Sequence, residues 1–361
     1  MKAKAAVMRA AHEPLTIEEI EVDKPARREV LIRTAFAGVC HSDLHFIEGL
    51  YPIPCPCVLG HESAGVVEAV GEDVTYVKPG DHVITCLSTF CGECEFCLTG
   101  RMTLCESPMV QRARDGQQRL SQNGEVVGQF ANLSSYAEMI LTHEHSVVKV
   151  REDMPLDRAA LIGCGVMTGV GAVFHTAKVP PGSTVAVFGC GGIGLSAING
   201  AKIAGAGQII AIDMIGSKLN LAKEFGATDV VNPADGDVVK QIRSLTDGGV
   251  EYSFEAVGLK ETAEQSFRAL RRGGTATIIG MVPVGTNVEL HGPDFLREKK
   301  IQGSSMGSNH FRVDMPRLVE FYLRGDLKLD EMISGRIKLE DINGAMDDLR
   351  TGEVARNVIA F

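Results

Sequence analysis

The feature that most constrains the fold is an apolar run that leads directly into closely spaced glycines. Residues 183–188 form the run, residues 189–194 hold the glycines as Gly-x-Gly-x-x-Gly, and a small-residue segment then precedes a second apolar run at 208–212. Further apolar runs at 252–256 and 275–280 each follow a helical pattern. Strands that alternate with helices in this way predict a parallel sheet covered by helices on both faces.

The glycines fit a dinucleotide-binding fingerprint, because each lies where a ligand or close packing leaves no room for a side chain. Gly189 allows the tight turn after the strand, Gly191 lets a pyrophosphate approach backbone N–H groups at the helix start, and Gly194 permits close helix–strand packing. Gly192 and Ile193 complete the turn and are candidate cofactor contacts. The alternative is a glycine turn that binds no ligand.

An acidic residue, Asp213, ends the next predicted strand. Its carboxylate can accept hydrogen bonds from the adenosine ribose hydroxyls and would repel a 2′-phosphate, so we predict NAD rather than NADP. Lys218 lies five residues further on and could reach the same ribose. A solvated helix lysine is the alternative for that position.

The texture of the chain changes along its length and predicts three segments. Residues 1–165 alternate short β-branched runs with Gly/Pro turns, which is typical of a β-rich domain. Residues 166–305 carry the strand–helix alternation of a doubly wound α/β (Rossmann) domain. Residues 306–361 contain two helical patterns and end in an apolar run at 357–361, which predicts a closing strand.

Four cysteines lie within fifteen residues, spaced as Cys-x2-Cys-x2-Cys-x7-Cys: Cys91, Cys94, Cys97 and Cys105. A tetrahedral thiolate site needs four sulfurs that converge on one ion, and short turns between the ligands achieve this at a small cost in chain closure. A disulfide cluster is the alternative. As a metal site it would be closed, with no open position, and it predicts stability rather than chemistry.

Composition narrows the possible classes of protein. The 361 residues carry a formal charge of −10, which gives no electrostatic basis for binding nucleic acid or an anionic membrane. The N-terminus lacks the apolar core of a signal peptide, and no stretch approaches the length of a membrane span. Ten cysteines without such a signal favour a reducing compartment, so we expect a cytoplasmic protein.

Three dispersed residues could form a second metal site. Cys40, His61 and Cys164 would supply two thiolates and an imidazole, and a catalytic zinc has three protein ligands and one open position. Each residue alone is more typical of a buried cysteine or a hydrogen-bonded histidine. Spacing by itself cannot join them.

The chain resembles the zinc-dependent medium-chain alcohol dehydrogenases over essentially its whole length. The resemblance rests on CHSDLH from Cys40, GHE from Gly60, the four-cysteine segment, GCGVMTG from Gly163, the glycine fingerprint and the closing RNVIAF. It implies a Rossmann coenzyme domain and a GroES-like β-rich catalytic domain shared between the two ends of the chain. It also implies two zinc ions, a catalytic one on Cys40, His61 and Cys164 and a structural one on the four clustered cysteines.

The resemblance assigns further residues to catalysis. Ser42 would take the alcohol proton and pass it through a coenzyme ribose hydroxyl to His45, although a surface histidine is the alternative there. Asp43 would orient His61 through its free ring nitrogen. Glu62 would approach the zinc during ligand exchange or remain a buried acid.

Other residues match positions that contact the coenzyme. Thr168 would lie beside the nicotinamide, and His41 and Arg356 would contact the pyrophosphate. Family members assemble through edge strands of the coenzyme domain, so we expect a homodimer or a homotetramer.

The implied reaction is the reversible, NAD-linked oxidation of a primary alcohol, with hydride transfer from a zinc-bound alkoxide to the nicotinamide. The long segment 109–127 is typical of liver-type and aryl-alcohol dehydrogenases, and the segment 49–57 holds no acid for a glutathione adduct. We therefore expect a medium-chain or aromatic alcohol as substrate. Three alternatives are an S-(hydroxymethyl)glutathione dehydrogenase, a relative with tightly bound NAD recycled by an external acceptor, and a non-enzymatic structural role.

Overall fold

The structure is a computed structural model and describes residues 1–113, 116–352 and 354–361. The strands in chain order are β1 (Lys2–Met8), β2 (Thr16–Val22), β3 (Glu29–Gly38), β4 (Cys57–Val58), β5 (Ser63–Val70), β6 (His82–Thr85), β7 (Leu120–Gln122), β8 (Glu125–Val126), β9 (Gly128–Gln129), β10 (Met139–His143), β11 (Val147–Lys149), β12 (Thr184–Phe188), β13 (Gln208–Ile212), β14 (Asp229–Val231), β15 (Val250–Glu255), β16 (Leu270–Ile278), β17 (Lys300–Gly303), β18 (Ile333–Ile337) and β19 (Arg356–Ala360). The helices are α1 (His41–Ile47), α2 (Glu95–Leu98), α3 (Leu156–Leu161), α4 (Met167–Gly171), α5 (Gly192–Ile203), α6 (Gly216–Phe225), α7 (Val238–Leu245), α8 (Lys260–Arg268), α9 (Phe311–Leu323) and α10 (Ile342–Thr351).

The chain forms two compact units. The first comprises Met1–Cys164, His310–Gly325 and Leu329–Phe361, and the second comprises Gly165–Asn309 and Asp326–Lys328. The division of the chain into a catalytic domain, a coenzyme domain and a closing C-terminal segment, as predicted from the sequence, stays a prediction.

The first unit contains two β-sheets. One has the strand order β8-β7-β2-β1-β4-β9, and the other has the order β11-β6-β5-β3-β19-β18 with β10 also paired to β3. Strand β19 pairs antiparallel with β3, so that Val358 faces Gly38. This pairing carries Arg356 close to the chain that follows β3, where α1 begins. The β-rich, GroES-like part of the fold prediction is confirmed here.

The second unit is built on one parallel sheet. Its strand order is β14-β13-β12-β15-β16-β17, and every adjacent pair is parallel. Apolar side chains of β12 and its neighbours are buried on both faces, which is typical of a sheet covered by helices. The order of the strands reverses direction between β12 and β15, which is where doubly wound folds bind their ligands. The Rossmann part of the fold prediction is confirmed.

One helical stretch among the described residues, Leu156–Ala177, is long and apolar enough to cross a membrane, with 22 residues and a mean hydropathy of 1.5. The prediction that no stretch approaches that length is therefore wrong. Of its most apolar window, 83% is buried inside the protein, as in a core helix. The stretch also contains two π-helical turns, Ile162–Val166 and Ala172–Ala177.

Candidate active site and metal centres

Four buried side chains of the first unit converge at one point. Ligand atoms of Cys40, His61, Glu62 and Cys164 all lie within 4.8 Å of one another. Cys40 precedes helix α1, while His61 and Glu62 precede strand β5. Cys164 lies in the π-helical turn Ile162–Val166, and such turns often occur at functional sites because they displace a side chain from the regular helix. The two thiols and the imidazole provide the donors that a catalytic zinc prefers.

The pKa values of the two thiols in this cluster are shifted in opposite directions. A hydrogen bond from Cys164 holds the pKa of Cys40 well below its ordinary value, and the nearby charges of Arg356 and His61 act in the same direction. The same bond to Cys40 raises the pKa of Cys164, and burial adds to that shift. The site therefore stabilises a thiolate at Cys40, which is the form that binds a metal ion.

A hydrogen-bonded carboxylate holds the imidazole of His61. Asp43 Oδ1 lies 3.2 Å from His61 Nδ1 and also accepts the Gly60 N–H at 2.9 Å, while Asp43 Oδ2 accepts the hydroxyl of Tyr136 at 2.8 Å. Burial alone would lower the pKa of His61, but Asp43 and Cys40 raise it above its ordinary value. Because Nδ1 faces Asp43, Nε2 is the ring atom left for a metal.

Arg356 is the cation of the site. Its Nη2 donates to Cys40 Sγ at 3.6 Å, and its Nε lies 3.6 Å from Glu62 Oε1. A Cβ at position 38 would lie 2.3 Å from Glu62 Oε1, so a side chain at Gly38 would displace the Glu62 carboxylate. These contacts surround the cluster, and the contact of Arg356 with a coenzyme pyrophosphate stays a prediction.

The remaining predicted catalytic residues occupy different places. Ser42 Oγ lies 3.7 Å from Cys40 Sγ, and His45 follows three residues later in α1 with its ring parallel to that of Tyr51, at a centroid distance of 6.3 Å. Burial lowers the pKa of His45. His41 is exposed, with Nε2 3.1 Å from the carbonyl oxygen of Leu349.

Thr168 belongs to the second unit, not to the unit that holds the cysteine–histidine cluster. It is buried in α4, and its hydroxyl donates to Met306 Sδ at 3.4 Å. A contact of Thr168 with the nicotinamide stays a prediction.

The four clustered cysteines form a second site in the first unit. Their sulfurs lie within 4.8 Å of one another, with Cys91–Cys97, Cys94–Cys97 and Cys94–Cys105 distances of 3.8, 3.5 and 3.8 Å. A disulfide would be about 2.05 Å long, so the disulfide alternative is wrong. Zinc–sulfur bonds of about 2.3 Å put tetrahedral sulfurs about 3.8 Å apart. The spacing therefore fits a closed zinc site.

Backbone N–H groups support these sulfurs. Those of Glu93 and Cys94 donate to Cys91 Sγ at 3.4 and 3.3 Å, and the pKa of Cys91 is about 6, lowered first by the Glu93 N–H. Gly92 has a φ of +88°, a conformation that favours glycine, at the turn between the first two ligands. A thiolate is therefore stabilised here as well.

The predicted dinucleotide site lies in the second unit, after β12. Gly189 has a φ of +91°, and a Cβ at Gly194 would lie 1.7 Å from the Gly189 oxygen, so both positions require glycine. Apart from its neighbours in the chain, no atom of the described residues lies within 4 Å of a Cβ built at Gly191, the residue just before α5. The backbone at Gly191 is thus open to a pyrophosphate at the helix start.

Asp213 is tied to the same turn. Its Oδ2 accepts the Cys190 N–H at 2.8 Å and its Oδ1 accepts the Ile215 N–H at 3.0 Å. Gly192 and Ile193 open α5, and Lys218 is half-buried in α6. Roles of these side chains toward a ribose stay predictions.

Two residues that lie around the cluster were not predicted from the sequence. Tyr136 lies 93 positions from Asp43 along the chain, and Gly38 carries no side chain that could suggest a role. No spacing pattern connects either of them to the ligands.

Comparison with known proteins places the chain in a family. The model of the alcohol dehydrogenase GroES-like domain matches residues 26–152, and that of the zinc-binding dehydrogenase matches residues 192–324. Alcohol dehydrogenase class-3 of Pisum sativum is 41% identical, over 99% of this chain and 97% of that protein. S-(hydroxymethyl)glutathione dehydrogenase of Saccharomyces cerevisiae is 40% identical, over 99% and 96%.

A solved structure is similar over nearly the whole of both chains. Benzyl alcohol dehydrogenase of Acinetobacter calcoaceticus is 34% identical with a TM-score of 0.95, covering 100% of this chain and 99% of that one. The chain therefore belongs to the zinc-dependent medium-chain alcohol dehydrogenases, with a catalytic zinc, a structural zinc and NAD as its cofactors.

Proposed function

We propose that this alcohol dehydrogenase oxidises primary alcohols with a medium-length or aromatic side chain to aldehydes, in a reversible reaction with NAD. The observation that carries this choice is a row of aromatic rings beside His61. Phe130 packs edge-on against His61 at 5.7 Å and Phe46 packs edge-on against Phe130 at 4.7 Å, whereas Tyr51 is tilted against Phe46 at 5.9 Å, measured between ring centroids. An apolar surface next to a zinc ligand favours an apolar substrate, because its burial is the main source of binding free energy.

The proposed ligand set is Cys40, His61 and Cys164, with Asp43 fixing the ring of His61. When bound, zinc supplies a Lewis acid that lowers the pKa of an alcohol, and NAD supplies the hydride acceptor. Glu62 is the fourth group of the cluster, and its carboxylate would approach the zinc while one ligand is exchanged for another.

Ser42 and His45 would carry the alcohol proton toward solvent. Ser42 Oγ lies next to Cys40, and Ser42 and His45 share one face of α1 because they are three residues apart. Burial lowers the pKa of His45, so the ring is neutral near pH 7 and free to accept a proton.

The coenzyme contacts are proposed for both units. In the second unit the fingerprint glycines, Asp213 and Lys218 would bind the pyrophosphate and the adenosine ribose, and Thr168 would contact the nicotinamide. In the first unit His41 and Arg356 would contact the pyrophosphate. A titration of NADH fluorescence with Asp213 and Lys218 variants tests the ribose part of this assignment.

S-(hydroxymethyl)glutathione is the second candidate substrate, because the class-3 alcohol dehydrogenase and the S-(hydroxymethyl)glutathione dehydrogenase are 41% and 40% identical to this chain, against 34% for the benzyl alcohol dehydrogenase. A glutathione adduct needs charged partners near the zinc. Glu48 is the acid nearest the segment 49–57, and its Oε1 already accepts Arg350 Nε at 3.0 Å. That ion pair disfavours the adduct.

The experiment that separates the two substrates is a steady-state comparison of kcat/KM. Benzyl alcohol, hexanol and S-(hydroxymethyl)glutathione would be assayed with NAD and with NADP. We expect the highest value for benzyl alcohol or hexanol with NAD. A much higher value for the glutathione adduct would contradict the proposal, and NAD that co-elutes with the purified protein would indicate a tightly bound coenzyme.

We also propose a homodimer or homotetramer that forms through β17, and a cytoplasmic location. Strand β17 ends the parallel sheet and pairs with β16 alone among the described strands, and Leu296 beside it is 91% exposed. None of the ten cysteines forms a disulfide, which suits a reducing compartment. Light scattering gives the subunit number, and Leu296→Glu should shift it toward the monomer.

A further inference from the structure

We propose that Tyr136 is a positioning residue for the catalytic zinc, because its hydroxyl fixes the carboxylate that orients His61. The inference rests on the proposed role of His61 as a zinc ligand. Tyr136 touches neither substrate nor coenzyme in this scheme. It would act through Asp43, whose Oδ2 lies 2.8 Å from the hydroxyl, whereas the Gly38 oxygen lies further away at 3.5 Å.

The carboxylate of Asp43 is held by three groups from two segments of the first unit. Asp43 and Tyr136 are both fully buried, with 0% exposure. Oδ1 serves the Gly60 N–H and His61 Nδ1, so the Tyr136 hydroxyl at 2.8 Å is the donor that engages Oδ2. Without that hydroxyl a buried, charged oxygen would lack a donor, and the carboxylate would gain freedom to rotate away from His61.

The backbone of Tyr136 is anchored to the chain that leads into His61. The Tyr136 N–H donates to the Leu59 oxygen at 3.1 Å, and the Ser135 N–H donates to the Gly60 oxygen at 2.9 Å. Gly60 has a φ of +90°, and a Cβ there would lie 2.7 Å from Tyr136 Cδ1. The ring therefore packs directly against the residue before the ligand and cannot shift independently of it.

The position calls for tyrosine specifically because the ring and the hydroxyl do different things. The ring fills the fully buried space beside Gly60, and phenylalanine would fill it equally well. The hydroxyl alone reaches Asp43. A role limited to core packing would thus survive Tyr136→Phe, whereas a positioning role would not.

The test compares Tyr136→Phe with a matched tyrosine variant of the same unit. In Tyr76→Phe the lost hydroxyl accepts the Lys149 N–H at 3.3 Å, and Lys149 is not a predicted zinc ligand. Each zinc-loaded protein is exposed to a chromogenic chelator, and the release of its two zinc ions is followed over time. Partners one step behind a metal ligand change metal affinity by about 10–100-fold. Tyr136 lies one step further back, behind Asp43, so we expect the lower end of that range, roughly tenfold faster loss of one zinc in Tyr136→Phe and wild-type release in Tyr76→Phe.

A double-mutant cycle with Asp43→Asn decides whether Tyr136 acts through Asp43. In the Asp43→Asn protein, adding Tyr136→Phe should accelerate zinc loss less than twofold, since the acceptor is already changed. Wild-type release from Tyr136→Phe, or full additivity with Asp43→Asn, would overturn the inference. Circular dichroism confirms that each variant is folded.

Failure of the ligand assignment itself would give a different result. His61→Ala should bind one zinc per subunit. Two tightly bound zinc ions in His61→Ala would contradict the ligand set, whatever Tyr136→Phe does.

Discussion

Replacing Arg356 by methionine should destabilise the protein, because this guanidinium is the cation shared by two buried acidic groups. Arg356 is 3% exposed, its Nε lies 3.6 Å from Glu62 Oε1, and its Nη2 donates to Cys40 Sγ at 3.6 Å. Opposite unit charges at such a distance attract each other by about 4–5 kcal/mol at an effective dielectric constant of about 20. In the intact pair, the cost of removing both charges from water offsets part of this attraction. When one partner is removed, the other charge keeps its desolvation cost and loses the attraction.

The expected loss follows from that asymmetry. Removal of one partner from a buried pair costs about 3–5 kcal/mol, so we expect the free energy of unfolding to fall by about 3 kcal/mol. Urea titration of the zinc-saturated protein, at two protein concentrations to account for assembly, measures it. Arg27→Met is the matched control, because Arg27 is 73% exposed in its pairs with Glu72 and Asp73, and surface pairs contribute about 0–1 kcal/mol.

A second substitution distinguishes a stranded charge from lost packing. Arg356→Met with Glu62→Gln should recover part of the stability, since glutamine carries no charge that needs the guanidinium. If the double variant is as unstable as Arg356→Met, the loss comes from packing. If Arg356→Met is as stable as the wild type, the electrostatic reasoning fails outright.

Three further predictions concern the metals, pH and the coenzyme. Cys40→Ser should lose one zinc and all alcohol oxidation while keeping its fold, whereas Cys97→Ser should lose the other zinc and unfold at a lower temperature; metal analysis and calorimetry distinguish them, and two zinc ions in either variant would contradict its assignment. Burial holds the pKa of His143 at about 3, from an ordinary 6.5, with His145 and Arg28 acting in the same direction. Between these two pKa values only the unfolded chain binds the proton at this position, so stability falls as pH drops below 6.5. We therefore expect the Tm of His143→Asn to fall less than that of the wild type between about pH 7 and about pH 5. Equal losses of Tm would contradict this. Asp213→Ser should raise KM for NAD about tenfold and make NADP usable, and an unchanged ratio of kcat/KM for NAD and NADP would exclude a ribose contact.

The features that sequence predicted well are those whose parts lie close together in the chain. The four-cysteine site needs only short turns, and its sulfurs converge as the spacing predicts. The glycine fingerprint likewise combines a strand, a turn and a helix that are continuous in sequence. Gly189 has a φ of +91°, and a Cβ at Gly194 would lie 1.7 Å from the Gly189 oxygen, five residues earlier. Local chain geometry determines both.

Features that depend on pairing between segments far apart in the chain could not be predicted from the sequence. Tyr136 meets Asp43, and Arg356 meets Cys40, only because sheets of the first unit align segments that no sequence period connects. The predicted ligands of the catalytic zinc could be joined only through the family resemblance. Strand β16 begins at Leu270, earlier than the predicted residue 275, because Leu270 pairs with Val250 and Arg271 forms an ion pair with Glu251.

The pairing of β19 with β3 also bears on the order in which the protein acquires its metals during synthesis. Arg356 and Cys40 are 316 positions apart, so the ribosome completes nearly the whole coenzyme-binding region before the cation can reach its thiolate. The four-cysteine site closes a loop of fifteen residues, which is available as soon as that loop emerges. We therefore expect a nascent chain to take up its structural zinc first and to hold the catalytic zinc weakly until β19 is in place. The first ion would stabilise a chain whose catalytic centre is still open.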